Sequence, residues 1–187
     1  MCILRHRQNR FLTMTIPILE TPRLLLRGQT KEDFPAFAAM WADPVVTRFI
    51  GGSPLSEEDA WSKFMRIAGH WALLGFGFWG IFEKASGKRI GEAGILDVKR
   101  EIVPSFHGVP EIGWGLLPEV HGKGYATEAV QEILKWADGH FGKVRMVCII
   151  DPENAPSLRV AARCGFKEFA RTTYKGDPTV ILERMPG

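Results

Sequence analysis

Glu111-Ile112-Gly113-Trp114-Gly115-Leu116-Leu117-Pro118-Glu119-Val120-His121-Gly122-Lys123-Gly124-Tyr125-Ala126-Thr127 is the stretch that decides the fold. A short strand runs into a glycine turn, and the turn delivers the chain directly into a helix with Ala129, Val130, Ile133, Leu134 and Ala137 on one stripe. Glycines at 122 and 124 permit close backbone approach, so successive N–H groups can converge at the helix N-terminus. Orphan donors and the helix dipole make that arrangement an anion site. The plainer alternative is a glycine turn needed only for tight strand-to-helix packing. Two nucleotide motifs do not fit. A Walker A loop requires Ser or Thr after its lysine, and Lys123 is followed by Gly124. Gly75-Phe76-Gly77-Phe78-Trp79-Gly80 spells GxGxxG but sits in an aromatic, strand-like run and opens no helix.

Working outward toward the N-terminus, residues 111–117 form the third strand of a β-rich middle. The first two strands are residues 76–82 and 90–98, separated by the turn Ala85-Ser86-Gly87-Lys88. Before them come two helices. Thr30-Lys31-Glu32-Asp33 resembles a capping box and opens a helix carrying Phe34, Phe37, Ala38 and Trp41, which Asp43-Pro44 ends. Ser56 starts the other, with Trp61, Phe64, Met65 and Ala68 at helical spacing. Leu24-Leu25-Leu26 reads as a buried strand ahead of both. Past the helix at 125–140 follow a buried strand at 144–150, a short helix at 157–163 closed by Gly165, and a hairpin of 166–173 with 179–184. The order describes a mixed α/β layer.

A chain of 187 residues suits one domain, here residues 14–187, with a core that needs neither disulfide nor structural metal. Hydrophobic content of 45% and charged content of 24% exclude a disordered or fibrous chain. The longest nearly unbroken apolar run, residues 71–82, falls well short of the ~20 residues that span a bilayer. Cys2, Cys148 and Cys164 show no CxxC spacing, and His70, His121 and His140 show no ligand spacing. That predicts a reducing, cytoplasmic setting and no metal site. Of the net charge of +3, all is carried by Arg5, Arg7 and Arg10 in residues 1–13, a segment without acids; the remainder holds 21 basic and 21 acidic residues. No basic stripe for nucleic acid is evident in that remainder. Residues 1–13 lack the apolar core of a secretory signal. They are read as a poorly ordered or untranslated leader rather than a targeting segment.

The glycine turn resembles the acetyl-CoA signature Q/R-x-x-G-x-G/A of the GNAT N-acetyltransferase superfamily, placed on His121 to Ala126. Thr21-Pro22-Arg23-Leu24-Leu25-Leu26-Arg27, Ile90-Gly91, Glu111-Ile112-Gly113-Trp114 and Gly122-Lys123-Gly124-Tyr125-Ala126-Thr127-Glu128-Ala129 look more narrowly like the branch that acetylates ribosomal-protein N-termini. Asn154-x-x-Ser157-x-x-Val160 and Gly165-Phe166 continue the pattern, so the likeness covers about residues 18–184.

The resemblance implies a twisted mixed β-sheet, splayed at a cofactor cleft between two neighbouring strands, with helices on both faces. It implies acetyl-CoA as co-substrate. The backbone of Leu116 and Leu117 would hold the pantetheine arm, and Gly122, Lys123, Gly124, Tyr125, Ala126 and Thr127 would cradle the pyrophosphate. Asn154 would bond the arm, and Ser157 would lie near the sulfur. His121 stands where Gln or Arg is usual. Ala161 stands where many members carry a tyrosine that protonates the thiolate, which leaves that role to Ser157 or a water. Glu111 is the first candidate base, Glu92 the second and His107 the third. Structural roles remain open for both carboxylates, Glu111 as a solvated strand end and Glu92 as a buried partner of an arginine.

Acetyl transfer needs a neutral amine. At pH 7 a terminal α-amine is roughly one-tenth neutral, whereas a lysine is neutral only a few times in ten thousand. The expected acceptor is a protein or peptide N-terminus. A small amine (amino acid, polyamine or aminoglycoside) is the alternative, and a non-catalytic acyl-CoA-binding module is a third reading. The protein is expected as a monomer or homodimer with no nucleic-acid or membrane partner. Trp41, Phe49, Trp61, Phe78, Trp79 and Trp114 could line an acceptor pocket, but aromatics at such spacings are more often core. Cys164 reads as a small buried hydrophobe rather than a nucleophile.

Overall fold

The computed structural model describes residues 15–186; the expectation for residues 1–13 lies outside them. Eight strands, β1 (Leu19–Glu20), β2 (Leu24–Arg27), β3 (Phe78–Glu83), β4 (Arg89–Leu96), β5 (Glu111–Leu116), β6 (Met146–Ile150), β7 (Lys167–Tyr174) and β8 (Asp177–Arg184), combine with five α-helices among the described residues. The helices are α1 (Phe34–Trp41), α2 (Pro44–Thr47), α3 (Glu57–Leu74), α4 (Tyr125–His140) and α5 (Ala155–Arg163). The strands join in one sheet in the order β1-β2-β3-β4-β5-β6-β8-β7. The C-terminal hairpin inserts β8 between β6 and β7, and the two-residue edge strand β1 is an element the sequence pattern does not announce.

The one parallel junction, β5 with β6, is also the weakest. A single pair, Glu111 opposite Val147, is in register, next to a 3.0 Å bond from the Val147 N–H to the Pro110 carbonyl. From there toward Leu116 the two strands diverge, and β5 keeps its pairing only with β4. This divergence is the splay that opens the cleft.

Both faces of the sheet are covered. Gly80, Glu92 and Gly115 are cross-strand partners and so share a face, and a side chain on Gly115 would meet Met40 of α1. Trp79, one residue along β3 and therefore on the other face, packs edge-on against Trp136 of α4 with ring centroids 5.0 Å apart. A smaller cluster forms where Ile102 and Phe106, from the loop between β4 and β5, pack against Val147 and Ile181.

Three expectations are corrected. Asp43-Pro44 ends α1 but also begins α2, because the Asp43 carboxylate accepts the Val45 N–H at 2.8 Å and proline suits a first helical turn. Helix α3 carries two overlapping apolar stripes. Ala60, Phe64, Ile67 and Trp71 are the buried set, while Trp61 and Met65 are 38% and 50% exposed. The stripe through Phe64 wins because it meets Phe37 of α1 at 5.0 Å between ring centroids. Finally, β3 begins at Phe78 rather than residue 76: α3 runs on to Leu74 and is closed by Gly75 at φ +75°. The Trp71 indole N–H then donates to the Phe78 carbonyl at 2.9 Å, so the apolar run is shared between a helix end and a strand.

Candidate functional site

The turn before α4 is built as its glycines require. Gly122 and Gly124 lie at φ +76° and +81°, in the left-handed region, and Gly124 is the N-cap. The first bond into the helix runs from the Glu128 N–H to the Gly124 carbonyl at 3.1 Å. Tyr125, Ala126 and Thr127 therefore present the orphan N–H groups of the helix start.

The turn is held from outside by residues whose role the sequence left unassigned. Arg23 donates through Nη1 to the Lys123 carbonyl at 2.9 Å and through Nε to Glu128 Oε2 at 2.6 Å; its guanidinium lies 4.4 Å from the centre of the Tyr125 ring. Thr21 Oγ1 donates to Glu128 Oε1 at 2.6 Å. Burial acts to raise the Glu128 carboxyl, but the bonds from Thr21 and Arg23 outweigh it and hold it below the usual range. Thr21-Pro22-Arg23 thus staples the start of β2 to the first turn of α4.

A cleft of about 310 Å³ opens beside this turn. Its walls are Trp114 to Leu116 of β5, the turn itself, one face of α5 along its length from Asn154 to Arg163, and α2 with the following Arg48, Phe49 and Ile50. Leu116, Gly122, Gly124, Tyr125, Ala126, Thr127, Asn154 and Ser157, eight of the expected cofactor residues, are brought together on it. Leu117 and Lys123 are not among its lining residues.

For Leu117 the reason is strand parity. Its N–H donates to the Ile90 carbonyl at 2.9 Å and its carbonyl accepts the Val120 N–H at 3.2 Å, so both groups are bonded within the protein. Alternation along β5 instead turns the backbone of Leu116 and Trp114 toward the splay. His121 Nε2 lies 2.9 Å from the Leu116 carbonyl; since a carbonyl only accepts, that nitrogen carries the proton. Asn154 caps α5, its Oδ1 accepting the Ser157 N–H at 3.2 Å, which leaves the amide NH₂ available as a donor.

The two carboxylate candidates lie elsewhere. Glu111, at the start of β5, is 5% exposed and receives Arg100 Nε and Nη2 at 2.5 and 2.6 Å. It faces the loop between β4 and β5, where His107 Nε2 contacts the Arg100 carbonyl at 2.9 Å. Glu92 is fully buried beneath α1, with Oε2 3.0 Å from Arg89 Nη2. Neither lines the cleft, so of the three catalytic candidates only Ser157 does.

No carboxylate lines the cleft among the described residues; its charged side chains are Arg48, Arg159 and Arg163. Sequence reading missed these three. The signal available was a pair of arginines four apart in a short helix. Phe49 and Trp114 line the cleft, Trp41, Phe78 and Trp79 are core, and Trp61 packs edge-on to Phe34 at the surface. Burial pushes the Cys164 thiol up to about 11, consistent with an unreactive side chain. Among the described residues there is no group of three potential metal ligands, and no helix is long and apolar enough to cross a membrane.

Comparison with known proteins agrees with this geometry. The profile of the acetyltransferase (GNAT) domain matches residues 23–167. The uncharacterized N-acetyltransferase YoaA of Bacillus subtilis is 29% identical over 81% of this chain and 84% of its own length. A Bordetella pertussis protein assigned to the GnaT acetyltransferase family superposes with TM-score 0.80 at 33% identity, covering 90% of this chain and 99% of that one. The acetyltransferase of Agrobacterium tumefaciens C58 superposes with TM-score 0.77 at 30% identity, covering 92% and 96%.

Proposed function

The chain belongs to the acetyltransferase (GNAT) family and is an acyltransferase, and from that premise we propose that it moves an acetyl group from acetyl-CoA directly to the α-amine of a protein or peptide N-terminus. The observation that carries the donor half is the cleft itself. It joins an open strand edge to a helix N-terminus with unspent N–H donors, and its charged lining is wholly positive. An extended amide arm ending in a pyrophosphate is complementary to both features.

The acceptor half rests on three supports. The first is the likeness of Thr21 to Arg27 and Glu111 to Trp114 to the N-terminal acetyltransferase branch. The second is the cleft wall formed by α2 and its following turn, where Val45, Val46, Phe49 and Ile50 are apolar and Arg48 is cationic. A polyamine or aminoglycoside finds no carboxylate among the lining residues, whereas a peptide brings a single amine on a largely neutral backbone. The third is chemical, because an α-amine needs less help from a base than a lysine does. Fold likeness does not choose. RimL, a ribosomal L7/L12 α-N-protein acetyltransferase solved with coenzyme A, and the aminoglycoside acetyltransferase AAC(6')-Ib, also solved with coenzyme A, superpose with TM-scores 0.73 and 0.72, each at 16% identity.

In this reading the backbone of Trp114 and Leu116 orients the thioester arm along β5, and the Asn154 amide steadies it. Gly122 to Thr127 anchor the phosphates. The amine nitrogen attacks the thioester carbonyl, the C–S bond breaks, and the proton lost by the amine ends on the sulfur. Ser157, in the first turn of α5, is assigned to that relay. Glu111 and Glu92, each tied to an arginine, are assigned to holding the sheet rather than to the base role.

The test follows thiol release from acetyl-CoA with free-α-amine peptides, N-terminally blocked lysine peptides and small amines. Selective turnover of free-α-amine peptides is expected. Turnover confined to small amines would overturn the acceptor assignment.

A further inference from the structure

The described part of the chain holds eleven arginines, and seven of them are paired with a carboxylate: Arg23, Arg27, Arg89, Arg100, Arg145, Arg171 and Arg184. Arg48, Arg66, Arg159 and Arg163 have no such partner among the described residues, and all but Arg66 line the one cleft. In a region whose acids and bases otherwise balance, that distribution is not what surface solvation alone would give.

Arg159 and Arg163 are the sharper pair. They are four apart on α5, so they project from the same face as near neighbours. Two like charges at that spacing destabilise a helix by a few tenths of a kcal/mol. Arg163, in the last turn, is offset by the helix dipole, but Arg159, in mid-helix, is not. An anion between them removes the repulsion and satisfies two planar guanidinium forks.

The coenzyme has two anionic parts. Its pyrophosphate is suited to the N–H groups of the turn at Gly122 to Thr127. The remaining charge is the ribose 3′-phosphate of the adenosine end. α5 starts at the arm side of the cleft with Asn154 and Ser157 and carries both arginines beyond them along the same wall.

We infer that Arg159 and Arg163 form a 3′-phosphate subsite, by which this protein distinguishes 3′-phosphorylated coenzyme A from its 3′-dephospho form. This rests on the acetyl-CoA reading above and adds to it a specificity that the turn cannot supply, because the pyrophosphate is common to both forms.

Calorimetric titration with coenzyme A and with 3′-dephospho-coenzyme A tests this without knowledge of the acceptor. The unsubstituted protein is expected to bind coenzyme A at least ten-fold more tightly than the dephospho form, as charge-assisted hydrogen bonds to a doubly charged group predict. In Arg159→Gln, Arg163→Gln and the double variant, that ratio falls stepwise toward one. Equal binding of the two forms by the unsubstituted protein overturns the subsite and leaves the acetyl-CoA reading intact. Equal weakening of both forms in the variants also overturns it, assigning the arginines to the pyrophosphate. Failure to bind either form removes the acetyl-CoA reading, and the subsite with it. Thermal unfolding of each variant, expected within a few degrees of the parent, excludes loss of fold as the cause.

Discussion

The ionic groups on β4 and at the start of β5 and those around the cleft are disposed in opposite ways. Beneath α1, Glu92 is closed by Arg89, which also reaches Gln29 Oε1 at 3.3 Å, and at the start of β5 Glu111 is closed by Arg100. Lys63 lies near this group, its ammonium 4.0 Å from the centre of the Trp41 ring; burial draws its pKa down while Glu92 acts in the opposite direction. In the cleft, three arginines have no carboxylate partner among the described residues. Charges of the first kind are consumed internally and act on stability. In the proposed reading, those of the second kind are left for a ligand and act on binding. On the same reading the two carboxylates most attractive in the sequence are poorly placed for a base because neither lines the cleft, even though Glu92 Oε1 has no hydrogen-bond partner among the described residues.

The comparison is broken most severely at Glu92. Glu92→Ala leaves Arg89 buried without its anion, and a loss of about 3–5 kcal/mol is expected in denaturant unfolding. Joining it with Arg89→Met should recover much of that loss, since neither charge then remains buried alone. A single variant of near-parental stability would show that the pair is not structural.

Glu111→Gln comes next, removing two short bonds from a partly buried pair, with an expected loss of about 1.5–3 kcal/mol. Its pH–rate profile with a free-α-amine peptide should keep its acid limb, because that limb belongs to the substrate amine. Disappearance of the limb would return Glu111 to the base role.

The cleft is probed at Gly124. Here the structure refines the expectation: a Cβ would meet only Arg23 Nη2, at 3.5 Å, so the protein leaves room for it. The penalty of Gly124→Val is instead backbone strain at φ +81°, about 1–2 kcal/mol for a non-glycine residue, together with a bulkier side chain beside the phosphates. Coenzyme A affinity should fall at least ten-fold, and unchanged affinity by calorimetry would move the anion site away from the turn.

The smallest effect belongs to the staple. Glu128 has a depressed carboxyl, so its contribution to stability is complete above the unfolded value near 4.3 and fades as pH falls through the lower folded value. Stability between pH 5 and 3 should therefore fall less steeply in Glu128→Gln than in the parent, by about 1 kcal/mol across the window. Parallel curves would mean that the Thr21–Arg23–Glu128 contacts add nothing.

Legibility in the sequence followed the range of the forces involved. α4 spans Tyr125–His140, as its apolar stripe requires, and the glycine turn ahead of it adopts the left-handed angles its composition permits. Both features depend on residues within one or two turns of each other. Spacing alone grouped Phe64 of α3 with Trp61, Met65 and Ala68, and only the position of Phe37 sets Ala60, Ile67 and Trp71 beside Phe64 as the buried face. The short edge strand β1 exists only because β2 lies beside it.

The sequence by itself determined the longer strands and helices, though not β1 or α2, and the glycine turn ahead of α4, since these are set by local periodicity, capping and glycine chemistry; the motifs from Thr21 to Phe166 separately carried the family resemblance. The tertiary structure alone decided which backbone and which charges are free. Register with β4 spends the Leu117 backbone and turns Leu116 toward the splay. Chain closure brings Arg100 onto Glu111 and sets α1 over the local Arg89–Glu92 pair of β4, while α5 is set with Arg159 and Arg163 along the wall of the cleft. The physical reason is that hydrogen-bond direction and ion pairing depend on which segments meet in space, and that is fixed by how the sheet is assembled rather than by any short stretch of chain.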